Sequence, residues 1–502
     1  MKGVKFYNHL AQLFAQNFDI VQYMKGDIDF MSGTRCKGYA DIMAFNPSVT
    51  GSDTLLVVKY DDGTSIKGCI DIGLFQEKEF LQLNSKLHFN PETLDFVLIT
   101  HNHIDHTGRL PLLTKNGYRG NVYTTYETEQ LIKLALYDSY KVLKNLAIRN
   151  NEKPLYYEDD VQMALSKIVG CSYEEEIPLT PNVKATFLSN GHLQGAAMIW
   201  LHITKEGYDD IDLLFTGDYN NKNMFFDVSP IPKKIRELPL TIIQESTYGN
   251  MDSSEITECF ESNVTSAIKQ GKIVLVPVFS LGRAQEILYV IKKLQKLGKI
   301  STSIPIYFDG KLAFKYTDIY LNGNLNIKEE MKDFLPKNLT YVYDAMRPEI
   351  LDNNDAKIIL STSGMGSYGP AQTYIPQLLS KENVLIQFTG YTADGTLGSR
   401  LKNTPKGNKV DVAGLAVIKR ADVEYTTEYS AHAKADEMIE FLQQFENLKM
   451  VLLNHGEPEV KEKFAERILQ EVNTKYVGIL GNGYLFRIGP YGLVKTMGMK
   501  FE

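Results

Sequence analysis

The stretch Val97-Leu98-Ile99-Thr100-His101-Asn102-His103-Ile104-Asp105-His106-Thr107-Gly108 limits this chain more than any other. An apolar run with the character of a buried strand stops abruptly at three histidines and an aspartate. On an extended backbone His101 and His103 project to the same side. Asp105 and His106 follow where Thr107-Gly108 turns the chain. Three imidazoles and a carboxylate cannot be buried together without a cation to offset them. Their nitrogen and oxygen donors suit zinc or a similar divalent metal. A run of surface histidines is the simpler alternative, but the chain has only 9 histidines in 502 residues, and a third of them fall here.

That length allows two or more domains, each with a core of its own. Hydrophobic content of 43% and charged content of 23% are ordinary for a globular protein. With 54 Lys and Arg against 61 Asp and Glu, the net charge of −7 leaves no general footprint for nucleic acid. A polyanion would have to meet a local basic groove or the metal site. Cys36, Cys69, Cys171 and Cys259 are scattered, which suits a reducing cytoplasm and argues against a disulfide framework or a cysteine metal site. The opening Met-Lys-Gly-Val-Lys-Phe-Tyr lacks a signal-peptide core, and no eighteen-residue apolar run predicts a membrane span. A cytoplasmic location is the expectation.

Residues 1–50 say least: an amphipathic helix is predicted from Tyr7 to Tyr23, and Asp27 to Pro47 reads as irregular. Strand-like runs on either side of Asp61-Asp62-Gly63 predict a hairpin. The second run ends at Asp71-Ile72-Gly73, where Asp71 reads either as a turn residue or as a carboxylate orienting a metal-bound histidine. Beyond the histidines, a strand at 121–125 and a helix from Glu127 to Lys144 are predicted, with a charged surface excursion over 145–180. Further strands end at Gly191-His192, at Thr216-Gly217-Asp218 and at Gln244-Glu245-Ser246. Strand ends of this kind gather on one edge of a layered α/β structure, where sites form.

After Gly249 the pattern becomes regular α/β. A helix is predicted over 253–270, then a strand over 273–279. A second helix follows Ser280-Leu281-Gly282-Arg283, with an apolar stripe at 287, 288, 290, 291, 294 and 297. Arg283 reads as a residue that ties this region together. Strands at 304–308, 357–361 and 384–389 follow, the last two running into glycine-rich turns that can present N–H groups to phosphate. From about Val410 the chain returns to the first domain. His432 lies in Ser430-Ala431-His432-Ala433 before a helix over 436–445, and a strand from Lys449 ends at Asn454-His455. Six histidines thus sit at strand exits or strand-to-helix turns, and only His9, His88 and His202 read as incidental.

Taken together, His-x-His-x-Asp-His at 101–106, glycine-flanked His192, Asp218, Glu245 in Glu-Ser-Thr-Tyr-Gly, His432 in Ser-Ala-His-Ala and His455 in Asn-His-Gly-Glu resemble the β-CASP branch of the metallo-β-lactamase superfamily. Pro277 to Glu286 and Gly390 to Gly398 resemble signature stretches of its inserted domain. The resemblance covers about residues 50–500, in the right order. It implies an α/β fold, an αββα metallo-β-lactamase sandwich with an inserted α/β β-CASP domain. The implied division is 1–249, the first part of the lactamase domain with residues 1–50 as an extension; 250–420, the insert; and 421–502, the completion of the first domain.

Carried over by motif, the resemblance implies two zinc ions, with manganese also admitted by the donors. His101, His103 and His192 would take one, with Asp218 bridging; Asp105, His106, Asp218 and His455 would take the other. His432 would be the catalytic acid, Glu245 the carboxylate beside it, and Asp71 an outer carboxylate. Among family members a histidine at the position of His455 marks RNA processing, as in the nuclease subunit of the cleavage and polyadenylation specificity factor and RNase J. The implied reaction is hydrolysis of single-stranded RNA by a two-metal-activated hydroxide, with Asp105 and Glu245 assisting and a homodimer as the usual assembly. Ser363, Gly364, Thr392 and Thr396 are the candidates for substrate phosphate contacts. The turn Ser363-Gly364-Met365-Gly366-Ser367 departs from the commoner Gly-Met-Leu form. Rival readings are a small-molecule hydrolase of thioesterase or lactonase type, a DNA nuclease of the same fold, and a scaffold without catalysis.

Overall fold

The computed structural model describes residues 37–390, 392, 395–481 and 483–498; the helix predicted at Tyr7–Tyr23 lies outside them, as does His9. The chain divides into two compact units. One is formed by the chain up to Lys222, by Val228–Ser253 and by the stretch from His432 onward; the other by Asn223–Asp227 and Ser254–Ala431.

The first unit is built on two sheets. From one edge to the other, the first runs Gly492–Gly498, Tyr484–Gly489, Gly38–Ala44, Asp53–Tyr60, Ser65–Ile72, Phe96–Leu98, Val122–Thr125 and Ile168–Cys171. The second runs Tyr476–Ile479, Leu448–Asn454, Leu240–Glu245, Ile211–Phe215, Ala197–Ile203, Val183–Ser189 and Glu176–Thr180. Ala40, Leu56, Val58, Phe96 and Leu98 of the first share a core with Phe187, Leu201, Leu213, Phe215, Met450 and Leu452 of the second. On the outer face of the first sheet, Leu55, Val97 and Ile99 pack with Leu113 and with Ile132 and Leu136 of the helix Tyr126–Asn150. On the outer face of the second, Val451 and Leu453 pack with the helices Ala435–Gln443 and Pro458–Glu471. The order is helix, sheet, sheet, helix. Burial on both faces explains why strands such as Thr54-Leu55-Leu56-Val57-Val58 read as unbroken apolar runs.

Two sequence readings need correction. Asp27–Pro47, taken as irregular, contains the interior strand Gly38–Ala44. Its buried Asp41 is paired with Arg487 (Nε–Oδ1 2.7 Å, Nη2–Oδ2 2.8 Å), a partner 446 residues away that local pattern cannot reveal. The supposed surface excursion at 145–180 holds the end of the long helix, a second helix at Glu158–Leu165 and the strand Ile168–Cys171. That strand pairs in parallel with Val122–Thr125.

The second unit carries a six-stranded parallel sheet in the order Leu339–Tyr341, Ile306–Asp309, Lys357–Thr362, Ile273–Val278, Val384–Phe388, Asp422–Tyr425. Its helix over 253–270 begins only at Phe260, after a short turn at Ser253–Glu255. Arg283 opens the next helix, Arg283–Lys296; its Nε lies 2.9 Å from Glu286 and its Nη1 donates to the carbonyl of Thr389. Those bonds fit a residue that ties loops together.

Candidate metal centre

Parallel strands place the site. In the first sheet Ile70 is level with Leu98, so Asp71 lies beside the segment leading into His101. In the second, Phe215 is level with Ile243 and Glu245 with Asn454, so Asp218, Glu245 and His455 emerge side by side. His192 comes from the turn between Val183–Ser189 and Ala197–Ile203, where Asn190 Oδ1 accepts its backbone N–H at 3.1 Å. Gly73 admits the Asp105 loop: a Cβ there would overlap the Asp105 carbonyl oxygen. The carbonyl of Asp105 accepts from Ser52 N–H at 2.8 Å, and Leu74 N–H reaches Ile104 O at 2.9 Å. Asp71 (φ 58°) and His455 (φ 46°) both hold left-handed backbone, unusual for residues other than glycine and frequent at functional sites.

One ligand atom from each of His101, His103, His192 and Asp218 falls within a 4.8 Å span, and the same holds for Asp105, His106 and His455. Asp218 Oδ2 lies 3.8 Å from His101 Nε2, 3.8 Å from His192 Nε2 and 3.3 Å from His106 Nε2. Its Oδ1 lies 3.3 Å from His455 Nδ1, and Asp105 Oδ2 is 3.6 Å from His455 Nε2. His103 Nδ1 and His192 Nε2 face each other at 3.1 Å. The fit to a cation rests on the orphans. Nε2 of His101, His106 and His455 and Oδ1 of Asp218 are buried and have no hydrogen-bond partner. Buried polar atoms left this way are costly unless something occupies their lone pairs. Imidazole nitrogens and carboxylate oxygens in these numbers suit zinc or manganese.

Neighbouring groups fix the rings of this cluster. Asp71 accepts from Thr100 N–H and Oγ1 and from His106 Nδ1 at 2.8, 2.8 and 2.7 Å. With Nδ1 engaged, Nε2 of His106 is turned toward Asp218. Thr100 Oγ1 lies 3.1 Å from His101 Nδ1, and Thr247 Oγ1 lies 3.0 Å from His455 Nδ1. Burial lowers the His106 imidazole, but Asp218 and Asp71 outweigh it and hold the ring well above the usual histidine range. Burial, then the His106 and His192 rings, push His101 well below it. Burial brings His103 down to about 4, against the pull of Asp105 and Asp218. Burial raises Asp218, yet His455 and His106 prevail and hold it well below the carboxylate range.

His432 adjoins the cluster, its ring 4.7 Å from that of His192 and 6.0 Å from that of His455. Its Nδ1 sits 2.8 and 3.1 Å from the two Glu245 oxygens. Glu245 also accepts from Tyr219 N–H at 2.6 Å, and the Tyr219 carbonyl accepts from Ala433 N–H at 2.8 Å, so one residue's backbone sets both members of the pair. Burial lowers the His432 imidazole, but the Glu245 carboxylate overcomes it and the ring is held above its ordinary value. The His432 side chain keeps 20% exposure where Glu245 keeps 1%. Lys434 lies 3.4 Å over the ring of Tyr248, whose ring is 6.1 Å from that of His432.

The structure therefore brings together Asp71, His101, His103, Asp105, His106, His192, Asp218, Glu245, His432 and His455. Asp71 spends its carboxylate on Thr100 and on His106 Nδ1. His88 stacks on Phe45 at 4.7 Å, and His202 pairs with Asp212 at 2.9 Å. Sequence reading missed Thr100, Thr247, Asn190 and Tyr219; each sits next to, or two residues from, a singled-out residue, which was the available signal. In the second unit, Thr396 accepts from Ser399 N–H as a helix cap, Thr392 packs on Gly398, and Gly364 lies against the ring of Phe279.

Sequence comparison agrees with this architecture. Residues 57–234 match the metallo-beta-lactamase superfamily domain, 284–401 the Beta-Casp domain, and 417–477 the Zn-dependent metallo-hydrolase RNA specificity domain. A ribonuclease of Thermus thermophilus is 31% identical over 423 residues, covering 82% of this chain and 91% of its own length. The chain is a β-CASP member of the metallo-β-lactamase superfamily. This β-CASP protein is also 30% identical to an RNase J-like protein of Methanocaldococcus jannaschii, over 75% of its own length and 85% of that protein's. It is 29% identical to the transcription termination factor FttA of Methanosarcina mazei, over 76% of the chain but only 61% of the factor. In the β-CASP protein the Beta-Casp match falls wholly in the second unit. No helix among the described residues is long and apolar enough to cross a membrane.

Proposed function

We propose that this β-CASP protein is a metal-dependent ribonuclease that hydrolyses phosphodiester bonds in single-stranded RNA. The observation that carries the reading is the convergence of four partnerless buried donor atoms beside a His432–Glu245 pair. The ribonuclease names of the two relatives nearly covered by the chain support the substrate class. His101, His103, His192 and Asp218 would hold one ion, and Asp105, His106, Asp218 and His455 a second, zinc being favoured by the donor set. When bound, such ions act as Lewis acids toward water and toward phosphodiester oxygens.

The chain's own residues do the rest. Asp71, Thr100 and Thr247 fix ring orientation, so the donor lone pairs are preorganised. Glu245 holds His432 by Nδ1 and favours its protonated form, leaving the other ring nitrogen to hand a proton to the departing sugar oxygen. Asp218 would be shared by the two ligand sets, its Oδ2 lying 3.3 Å from His106 Nε2 and its Oδ1 3.3 Å from His455 Nδ1.

The test pairs purified protein with 5′-labelled, 3′-labelled and circular RNA, a matching DNA and a lactone substrate, with zinc or manganese supplied. RNA cleavage that a chelator abolishes is the expected result. Lactone turnover without RNA cleavage would replace this reading with the small-molecule one.

A further inference from the structure

Among the described residues of the second unit, three large aromatic side chains stand in water, and all three lie on loops leaving the carboxyl ends of its parallel strands. Phe279 is 43% exposed, Tyr343 58% and Tyr368 74%. Phe279 directly follows the strand Ile273–Val278, Tyr343 comes two residues after Leu339–Tyr341, and Tyr368 lies in the turn after Lys357–Thr362. Parallel strands put their carboxyl ends on one edge, the edge at which open α/β sheets bind ligands. The other large apolar residues exposed among the described residues of this unit, Leu297, Leu321 and Leu415, belong to none of these loops. Three strand spacings of about 4.8 Å separate the outermost of these strands, so the row spans roughly 14 Å.

The aromatic groups are held rather than loose. The ring of Phe279 lies against Gly364, where a Cβ would come 2.7 Å from it. The turn bearing Tyr368 is fixed on both sides: Gly366 N–H donates to Ser363 O at 3.0 Å, and Ser367 Oγ accepts Leu397 N–H at 2.9 Å. Tyr343 is backed edge-on by Phe314, with ring centroids 6.1 Å apart. Cations at this edge are already engaged: Arg283 by Glu286, Arg347 by Asp309, and Lys311, after the strand Ile306–Asp309, by Asp344 at 3.3 Å. What this edge offers a ligand is flat aromatic surface more than charge. That favours a nucleobase over a phosphate, because every base has a face that stacks whatever its sequence.

We propose that Phe279, Tyr343 and Tyr368 form a stacking platform for unpaired nucleobases, selecting single strands over duplex. This rests on the ribonuclease reading and extends it from the reacting bond to the bases of the bound strand.

The full-length protein is titrated by fluorescence anisotropy with a short, labelled, nuclease-resistant oligoribonucleotide and with an abasic oligomer carrying the same phosphates. Base-bearing RNA should bind the wild type roughly tenfold or more tightly than the abasic strand. Phe279→Ala and Tyr368→Ala should each weaken the base-bearing complex roughly tenfold and leave abasic binding unchanged, while Tyr368→Phe retains affinity. Both positions are exposed, and unchanged thermal melts verify folding. Alanine variants that bind both strands as the wild type does would overturn the platform while RNA cleavage by the wild type upheld the ribonuclease. A wild type that neither binds nor cleaves RNA would overturn both.

Discussion

His432 and Asp71 show how single side chains divide the work of this site. Asp71 holds His106 by Nδ1 inside the cluster, whereas Glu245 holds His432 by Nδ1 and leaves that ring access to water. Replacing His432 by alanine should lower RNA cleavage by roughly 10²- to 10⁴-fold while metal content by mass spectrometry stays at the wild-type value. Full activity in that variant would remove His432 from the chemistry. Asp71→Asn should act the other way round, weakening metal affinity by roughly 10- to 100-fold because the outer partner no longer fixes His106. The pH profile separates the role of Glu245. Its carboxylate keeps His432 above the usual histidine value, so the protonated acid persists to higher pH than an isolated imidazole would allow. Glu245→Gln should therefore move the alkaline limb of the rate profile to lower pH; an unmoved limb would leave Glu245 as a structural partner only. These residues were legible because their types are rare and their positions unusual. Thr100 and Thr247 were not, since a threonine beside a histidine carries no signal until the backbone brings its hydroxyl to the ring nitrogen.

Strands and turns were legible where one local pattern decided them. The hairpin at Asp61-Asp62-Gly63 and the strands leading into His101, Asp218, Glu245 and His455 follow from apolar runs that stop at polar residues. The strand Gly38–Ala44 was hidden because its buried charge is answered from the far end of the chain. The strand Ile168–Cys171 was hidden because its four residues, Ile-Val-Gly-Cys, make an apolar run too short to stand out from the charged stretch around it. Gly73 is where an element-level demand falls on one atom. Its missing Cβ is the space that the Asp105 carbonyl uses. Gly73→Ala should cost stability at or above the roughly 1–3 kcal/mol usual for overpacking and should displace the Asp105–His106 turn. Denaturant melts with and without metal check this: a variant with wild-type stability and wild-type metal gain would contradict it.

Over the whole chain, distant segments are joined by groups that pattern reading does not flag. Lys461 is fully buried in the helix Pro458–Glu471, and its ammonium donates to the carbonyls of Pro47 and Leu480 at 3.2 and 3.1 Å. Burial pulls it down to about 7. An unfolded lysine titrates near about 10.4, so between those values the unfolded chain binds more protons and stability from this group rises with pH. Lys461→Met loses the two bonds at every pH but also the buried charge. Its melting-temperature deficit should therefore be larger at pH 9 than at pH 6, and a deficit independent of pH would refute the assignment. The first unit draws on both ends of the sequence, so the chain leaves it and returns.

Diffraction recorded at the zinc absorption edge, from crystals of the zinc-loaded protein, tests most directly whether these strand ends enclose a pair of ions. Two anomalous peaks are expected, one against His101, His103 and His192 and one against Asp105, His106 and His455, with Asp218 touching both. A single peak elsewhere, or none at these side chains, would contradict it.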